Sequence, residues 1–333
     1  SLMAMLSSSL VLGSIQLKNR IVMPPMATSK AEEGKITADL IQYYKEKSAD
    51  EAIGLIIAEH SYVSMEGKAS ANQVSLAVDA DMEGLKALTN AIHAHHTPVF
   101  AQINHAGSAA KAEITGFPPL APSAVKHPRA KEEEMPQAMN AEDLEKVISD
   151  FALAAGRAKE AGYDGVEIHS AHGYLLNQFY SPITNQRTDQ YGGSLVNRIR
   201  LHIQIIERIR QTVGGDYPLT LRLGVYDGLE NGSTMDEAVQ ACVMFEKAGL
   251  DFIDLSGGLN GYLRPGHSEQ GYFQDFSEAV KQQVKMPVLL TGGITEAQAA
   301  EALLQAQKVD LIGIGRAILK DSKWAEKALN TIK

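Results

Sequence analysis

The sequence is poor in cysteine and tryptophan, with one of each in 333 residues. A lone thiol, Cys242, cannot form an intrachain disulfide, a cysteine-ligated zinc site or an iron–sulfur cluster, because each of these needs several thiolates. Basic residues are fewer than acidic ones: 31 Lys and Arg against 40 Asp and Glu give a net charge of −9. Nucleic acids and anionic membranes select basic surfaces, so neither is predicted as a partner.

Long apolar runs are also missing. None approaches the ~20 residues that span a bilayer, and no basic stretch precedes the apolar residues near the start of the sequence, as a signal peptide would require. We therefore expect a cytoplasmic protein. Hydrophobic residues make up 44% of the chain and charged residues 21%, which is enough apolar material for a large buried core.

Short apolar runs alternate with longer amphipathic segments. Eight runs are candidate strands: 20–24, 53–58, 98–103, 164–169, 218–224, 251–256, 287–291 and 309–314. Their nearly continuous apolar character is typical of a parallel sheet that is covered on both faces. Between them, apolar residues recur at helical spacing, most clearly in 82–95, 141–161 and 234–248. Eight such units predict an α/β fold of the (β/α)8 type, a TIM barrel, as a single domain over residues 1–333.

Two segments, 104–140 and 257–274, fit neither a strand nor a helix. Each follows a predicted strand and therefore lies at the C-terminal mouth of the barrel, where active sites are built. The first contains the charged stretch Lys131–Glu134. We expect this insertion after strand 3 to cover the mouth; the plainer alternative is a solvated loop.

Glycines follow the last two predicted strands. Gly292 and Gly293 come after the seventh, and Gly315 with Arg316 after the eighth. Glycine lets backbone N–H groups approach an anion closely, a helix N-terminus adds its positive dipole, and an arginine adds a fork of charged donors. Tight turns alone are the plainer explanation. Two such turns with an arginine favour a phosphate site, which barrels usually place here.

Two histidines and a tyrosine lie at the end of the fourth predicted strand and just after it: His169, His172 and Tyr174. Three roles are open to them: metal ligands, an acid/base group, or a hydrogen-bonding clamp on a substrate oxygen. No metal site is predicted, because the spacing is not that of HExxH and no third ligand is obvious nearby. Neutral imidazole N–H groups would polarise a carbonyl, and the nearby phenol would deliver a proton.

Arg222 lies within the fifth predicted strand, where alternation can turn its charge into the barrel mouth. An inward guanidinium is costly unless it meets an anion or a dipole. Gln102, near the end of the third strand, is a weaker candidate for a ligand contact. Its amide could hydrogen-bond to the edge of a ring that carries both donors and acceptors. The stretch Arg187–Ser194 is interpreted as scaffolding, with Ser194 capping a helix that begins at residue 195.

Five stretches together resemble one enzyme family. They are Leu17–Met26, Gln102–Gly107, His169–Leu175, Arg187–Arg198 and Gly315–Arg316. The chain resembles the old yellow enzymes, the FMN-dependent ene-reductases, and their short bacterial branch more than the fungal one. The resemblance extends over nearly the whole chain. The family's larger members, with an iron–sulfur cluster, do not fit a chain with one cysteine.

The resemblance implies a role for each position. The residues that would hold FMN are Pro24, Pro25, Met26, Ala27, His60, Gln102 and Arg222 at the ring, and Gly292, Gly293, Gly315 and Arg316 at the phosphate. The residues that would bind and protonate the substrate are His169, His172 and Tyr174. Ser29 stands where the branch has an aromatic residue, and a wider substrate site is expected there.

The implied activity is reduction of a small electrophile (an enone or other activated alkene, a quinone or a nitro compound) by NADH or NADPH. In the implied ping-pong cycle, flavin N5 gives hydride to Cβ of the alkene and Tyr174 gives a proton to Cα. Two alternatives stay open. One is a phosphate-ligand isomerase or aldolase, with Glu167 as the strand-end candidate base. The other is a flavin-binding barrel without turnover. Assembly into a homo-oligomer is left open.

Overall fold

A computed structural model describes residues 4–131 and 134–333. Residues 132 and 133, which belong to the charged stretch 131–134 of the first insertion, lie outside the described residues. Eight parallel strands form the centre: β1 (Ile21–Met23), β2 (Leu55–Tyr62), β3 (Val99–Asn104), β4 (Gly165–Ser170), β5 (Leu219–Gly224), β6 (Phe252–Ser256), β7 (Val288–Thr291) and β8 (Leu311–Gly313). The sheet closes because β1 pairs with both β2 and β8, which confirms the predicted barrel.

Principal helices surround the strands. They are α1 (Ala38–Ser48), α2 (Met82–His93), α3 (Ala141–Glu160), α4 (Arg200–Val213), α5 (Met235–Ala248), α6 (Gln274–Lys281), α7 (Ala297–Gln305) and α8 (Trp324–Thr331). Local sequence fixes several starts. A reciprocal capping box of Asn140 and Asp143 opens α3, and one of Thr234 and Glu237 opens α5. As predicted, the Ser194 hydroxyl caps a short helix, Leu195–Arg198, by accepting from the backbone of Asn197.

An N-terminal hairpin closes one end of the barrel. Its strands, Leu10–Leu12 and Ile15–Leu17, pair antiparallel. Leu12 and Leu17 are buried against interior side chains that include Phe100 and Phe252. Apolar packing therefore fills the end of the described barrel where its strands begin.

The insertion after β3 is held in place by Arg187. Its Nη1 donates to the carbonyl oxygens of Pro122 (2.9 Å) and Met139 (2.8 Å). The insertion contains a short helix, Ala112–Thr115, and two paired two-residue strands. Within the described part of the chain, no helix combines the length and apolar character needed to cross a membrane.

Candidate active site

A cavity of about 530 Å³ opens at the C-terminal mouth of the barrel. Most of the predicted site residues line it: Pro24, Pro25, Met26, Ala27, His172, Tyr174, Arg222, Gly292, Gly293, Gly315 and Arg316. These residues are far apart in sequence and meet because parallel strands end at the same rim. Of the others, His169 and His60 have ring contacts with Tyr174, and Gln102 bonds to Glu167, which is not a lining residue. Ser29 is exposed and is not among the residues that line the cavity.

Arg222 projects inward from β5 between two acidic side chains. Its Nε donates to Oδ2 of Asp254 at 2.7 Å, and Oε1 of Glu167 is 3.6 Å away. All three side chains are nearly or fully buried. Burial, and then the neighbouring Asp254 charge, raise the pKa of Glu167 well above its usual value. We conclude that Asp254, which accepts from Nε, is the nearer counter-ion of Arg222.

One nitrogen of this arginine is left over. Nη2 of Arg222 is buried and has no hydrogen-bond partner among the described residues. Leaving a charged donor unpaired in the interior costs at least about 1–3 kcal/mol. Since Arg222 also lines the cavity, an acceptor atom on a bound ligand would remove that cost.

Gln102 makes its contact on the acidic side of this cluster. Its Nε2 donates to Oε1 of Glu167 at 2.8 Å. The same contact holds Glu167 away from solvent, and no part of that residue is exposed. The expected contact of Gln102 with a ligand ring stays a prediction.

His169 and His172 form a close pair beside Tyr174. Their ring centroids are 5.4 Å apart, and the Tyr174 ring is 5.1 Å from His169. The backbone N–H of Ala171 donates to Nδ1 of His169, so the proton of that imidazole sits on Nε2. Burial lowers the pKa of both histidines well below 6.5. The pair is therefore neutral at pH 7 and offers N–H donors without a charge.

His172 adopts a left-handed backbone conformation, with φ of +56°. This conformation is uncommon outside glycine and is concentrated at functional sites. His172 is tied down on both sides: its N–H donates to Gly257 O, and its carbonyl accepts from Nη2 of Arg129 at 2.7 Å. Its Nε2 lies 2.8 Å from the Ser256 hydroxyl. These contacts fix the direction of the imidazole.

His60, on β2, brings a third imidazole to this group. Its ring centroid lies 5.4 Å from Tyr174 and 6.0 Å from His169, and its Nδ1 accepts from Nδ2 of Asn104 at 3.0 Å. Asn104 was not singled out from the sequence. Its signal was its position two residues after Gln102, because alternate residues of a strand share a face.

The predicted phosphate end is shaped by glycine. Gly293 has φ of +71°, and a Cβ there would lie 2.5 Å from the Tyr272 ring. Gly315 precedes the short helix Arg316–Lys320, and the Arg316 guanidinium lies 5.9 Å from the Tyr262 ring centroid. Tyr262, Tyr272 and Arg129 line the cavity from the two insertions and were missed in the sequence, because loop conformation does not follow from periodicity.

Buried histidines predict acid lability. Burial lowers the pKa of His60 to about 4 and those of His105 and His202 to about 3. Unfolded histidines titrate near 6.5, so between about pH 6.5 and 4 the unfolded state binds more protons. The free energy of unfolding is therefore expected to fall with acid by up to about 1.4 kcal/mol per pH unit for each histidine.

Thermal unfolding from pH 7.5 to 4 measures this slope. The His60→Gln variant should have a shallower slope than the parent. A midpoint temperature that stays constant from pH 7 to 5 would contradict the prediction.

Comparison with known proteins decides the family. Residues 7–333 match the NADH:flavin oxidoreductase / NADH oxidase family. The chain belongs to this family. The resemblance to the old yellow enzymes is thereby confirmed. In the structural comparison, an old yellow enzyme homologue from Zymomonas mobilis gives a TM-score of 0.86 at 25% identity, covering 99% of this chain and 93% of that one.

Two relatives differ in length. An NADPH dehydrogenase of Halalkalibacterium halodurans is 39% identical over 325 residues, covering 97% of this chain and 93% of the relative. An NADH oxidase of Thermoanaerobacter brockii is 39% identical over 324 residues, covering 95% of this chain and 49% of the relative. The chain thus spans about half the length of the second relative and nearly all of the first.

Proposed function

We propose that this protein is an FMN-dependent NAD(P)H oxidoreductase that reduces activated alkenes such as enones, quinones or nitro compounds. The observation that carries the proposal is the unpaired, buried Nη2 of Arg222 beside a cavity that His172 lines, with His169 in ring contact with it. A cavity of about 530 Å³ is within the range of cofactor sites. The names of two relatives support NADH and NADPH as reductants, since one relative is an NADH oxidase and another is an NADPH dehydrogenase.

The residues present fit FMN. Glycine backbone and the Arg316 guanidinium at one end suit a phosphate. At the other end, Arg222 offers its spare donor to an acceptor-rich ring edge, and residues 24–27 line the space between. When bound, FMN would supply two-electron hydride chemistry between NAD(P)H and the substrate. The Arg222 cation would stabilise negative charge that develops on the ring.

The imidazole pair would bind and polarise the substrate. His169 and His172 would donate to its carbonyl or nitro oxygen, and their neutral state means that the donors are not lost by titration near pH 7. Burial raises the pKa of Tyr174 and the Arg129 charge opposes that rise. The phenol is thus protonated at neutral pH and would supply the proton to Cα.

The isomerase alternative depends on Glu167 as a base. That carboxyl is fully buried, is bonded to Gln102 and is not among the residues lining the cavity. Nothing in the geometry therefore favours it. The second alternative, a flavin-binding barrel without turnover, is distinguished by experiment.

A visible spectrum of the protein reconstituted with FMN tests the proposal. We expect bound flavin absorbance, bleaching by anaerobic NADH or NADPH, and its return on addition of 2-cyclohexenone, a quinone or a nitro compound. A protein that does not bind FMN would refute the proposal. Binding without bleaching would support the barrel without turnover.

A further inference from the structure

One cation at the cavity, Arg129, has no acidic partner among the described residues. Three arginines line it, Arg129, Arg222 and Arg316, and no acidic residue is among the lining residues of the described chain. Arg222 is balanced by Asp254, and Arg316 is assigned to the phosphate. Arg129 forms no ion pair within residues 4–131 and 134–333. The chain as a whole has a net charge of −9, so the positive charge of the cavity lining is opposite in sign to that of the protein overall.

Arg129 stands where the two insertions meet. It belongs to the insertion after β3, and its Nη1 would lie 3.0 Å from a Cβ placed on Gly261 in the other insertion. Its Nη2 is fixed on the carbonyl of His172. The remaining donors of an exposed guanidinium are therefore held in a defined place at the rim.

The charge of Arg129 reaches the proposed reacting groups. Burial lowers the pKa of His172 and raises that of Tyr174, and the Arg129 charge acts on both groups. A ligand whose oxygen is held by the imidazole pair would thus have its outer end close to this cation. Electrostatic interactions are stronger in such a partly enclosed site than in water.

We propose that Arg129 binds an anionic group on the substrate, and that the preferred substrates are electrophilic alkenes carrying a carboxylate. This rests on the proposed function, since it assumes that the imidazole pair holds the substrate oxygen. Arginine suits the task because its planar fork matches a carboxylate. Arg129 would determine specificity, while the imidazole pair and Tyr174 would act on the reacting atoms.

Matched phenolic ligands test the proposal on the FMN-loaded enzyme. The dissociation constants of 4-hydroxybenzoate and its neutral counterpart 4-hydroxybenzamide are measured by calorimetry for the parent, Arg129→Gln and Arg129→Lys. We expect Arg129→Gln to weaken 4-hydroxybenzoate about fivefold and 4-hydroxybenzamide less than twofold. Arg129→Lys should recover part of the loss. Lys126→Gln, the same charge change at an exposed position of the insertion, should alter neither.

Four outcomes would overturn the proposal. Equal weakening of both ligands would mean that Arg129 only positions His172. No change in either would mean that the cation contacts no ligand. Slower reduction of the enzyme by NADPH, with unchanged 4-hydroxybenzoate binding, would assign Arg129 to a phosphate of the dinucleotide. A parent enzyme that binds FMN and both phenols equally refutes this inference alone, whereas failure to bind FMN refutes the proposed function.

Discussion

Replacement of Arg222 by methionine is expected to abolish FMN retention and to lower the free energy of unfolding by about 3–5 kcal/mol. The loss of stability follows because Asp254 is fully buried and would be left without its cation. The loss of FMN follows because the spare Nη2 donor disappears. Urea unfolding of flavin-free protein and fluorimetric titration with FMN measure the two effects.

A double variant separates the two roles. Arg222→Met combined with Asp254→Asn removes both charges, so most of the stability should return while FMN binding stays lost. This pattern would show that the cation serves a ligand as well as its counter-ion. An Arg222→Met protein that binds FMN as tightly as the parent would contradict the assignment of this arginine to the cofactor site.

The Tyr174→Phe variant is expected to reduce alkenes about 10²- to 10⁴-fold more slowly. Removing the phenol takes away the proposed proton source but leaves the ring that packs against His169. Reduction of the enzyme by NADPH needs no proton at Cα of an alkene, and should change less than about twofold. Anaerobic stopped-flow absorbance measures both half-reactions separately.

Tyr262 provides the matched control for this prediction. It also lines the cavity, it is 53% exposed, and its ring lies 6.4 Å from that of His172. Its replacement by phenylalanine should leave both half-reactions nearly unchanged. Equal slowing of the two half-reactions in Tyr174→Phe would show that the tyrosine maintains the cavity and does not supply the proton.

Apolar periodicity located the barrel well but misjudged the ends of its strands. The second strand was predicted to end at residue 58 and continues to Tyr62, because its last residues still pair with β3, His60 opposite Gln102 and Tyr62 opposite Asn104. Those last residues are largely polar, and a search for apolar runs stops before them. The polar extension is what carries His60 to the imidazole pair.

Most of the side chains predicted to share a site line one cavity, because a parallel barrel brings all its strand ends to one rim. Which side chains touch was not readable. Arg222 was expected to meet an anion or a dipole. That Asp254 lies 2.7 Å from its Nε, with Glu167 3.6 Å away, follows only from the folded structure. Arg222 is more than 30 residues from either carboxylate in the sequence, and periodicity does not predict distances between side chains so far apart in the chain.

The sequence by itself determined the alternation of strand and helix, the rim on which the site is built, and the chemistry available there: glycines, two arginines, two histidines and a phenol. Only the tertiary structure decided which carboxylate pairs with Arg222, which nitrogen of His169 carries the proton, and that Arg129 reaches the cavity from an insertion. The physical reason is range. Periodicity records which face of a segment is buried, whereas charge balance and hydrogen bonding depend on ångström-scale contacts between segments that are distant in the chain.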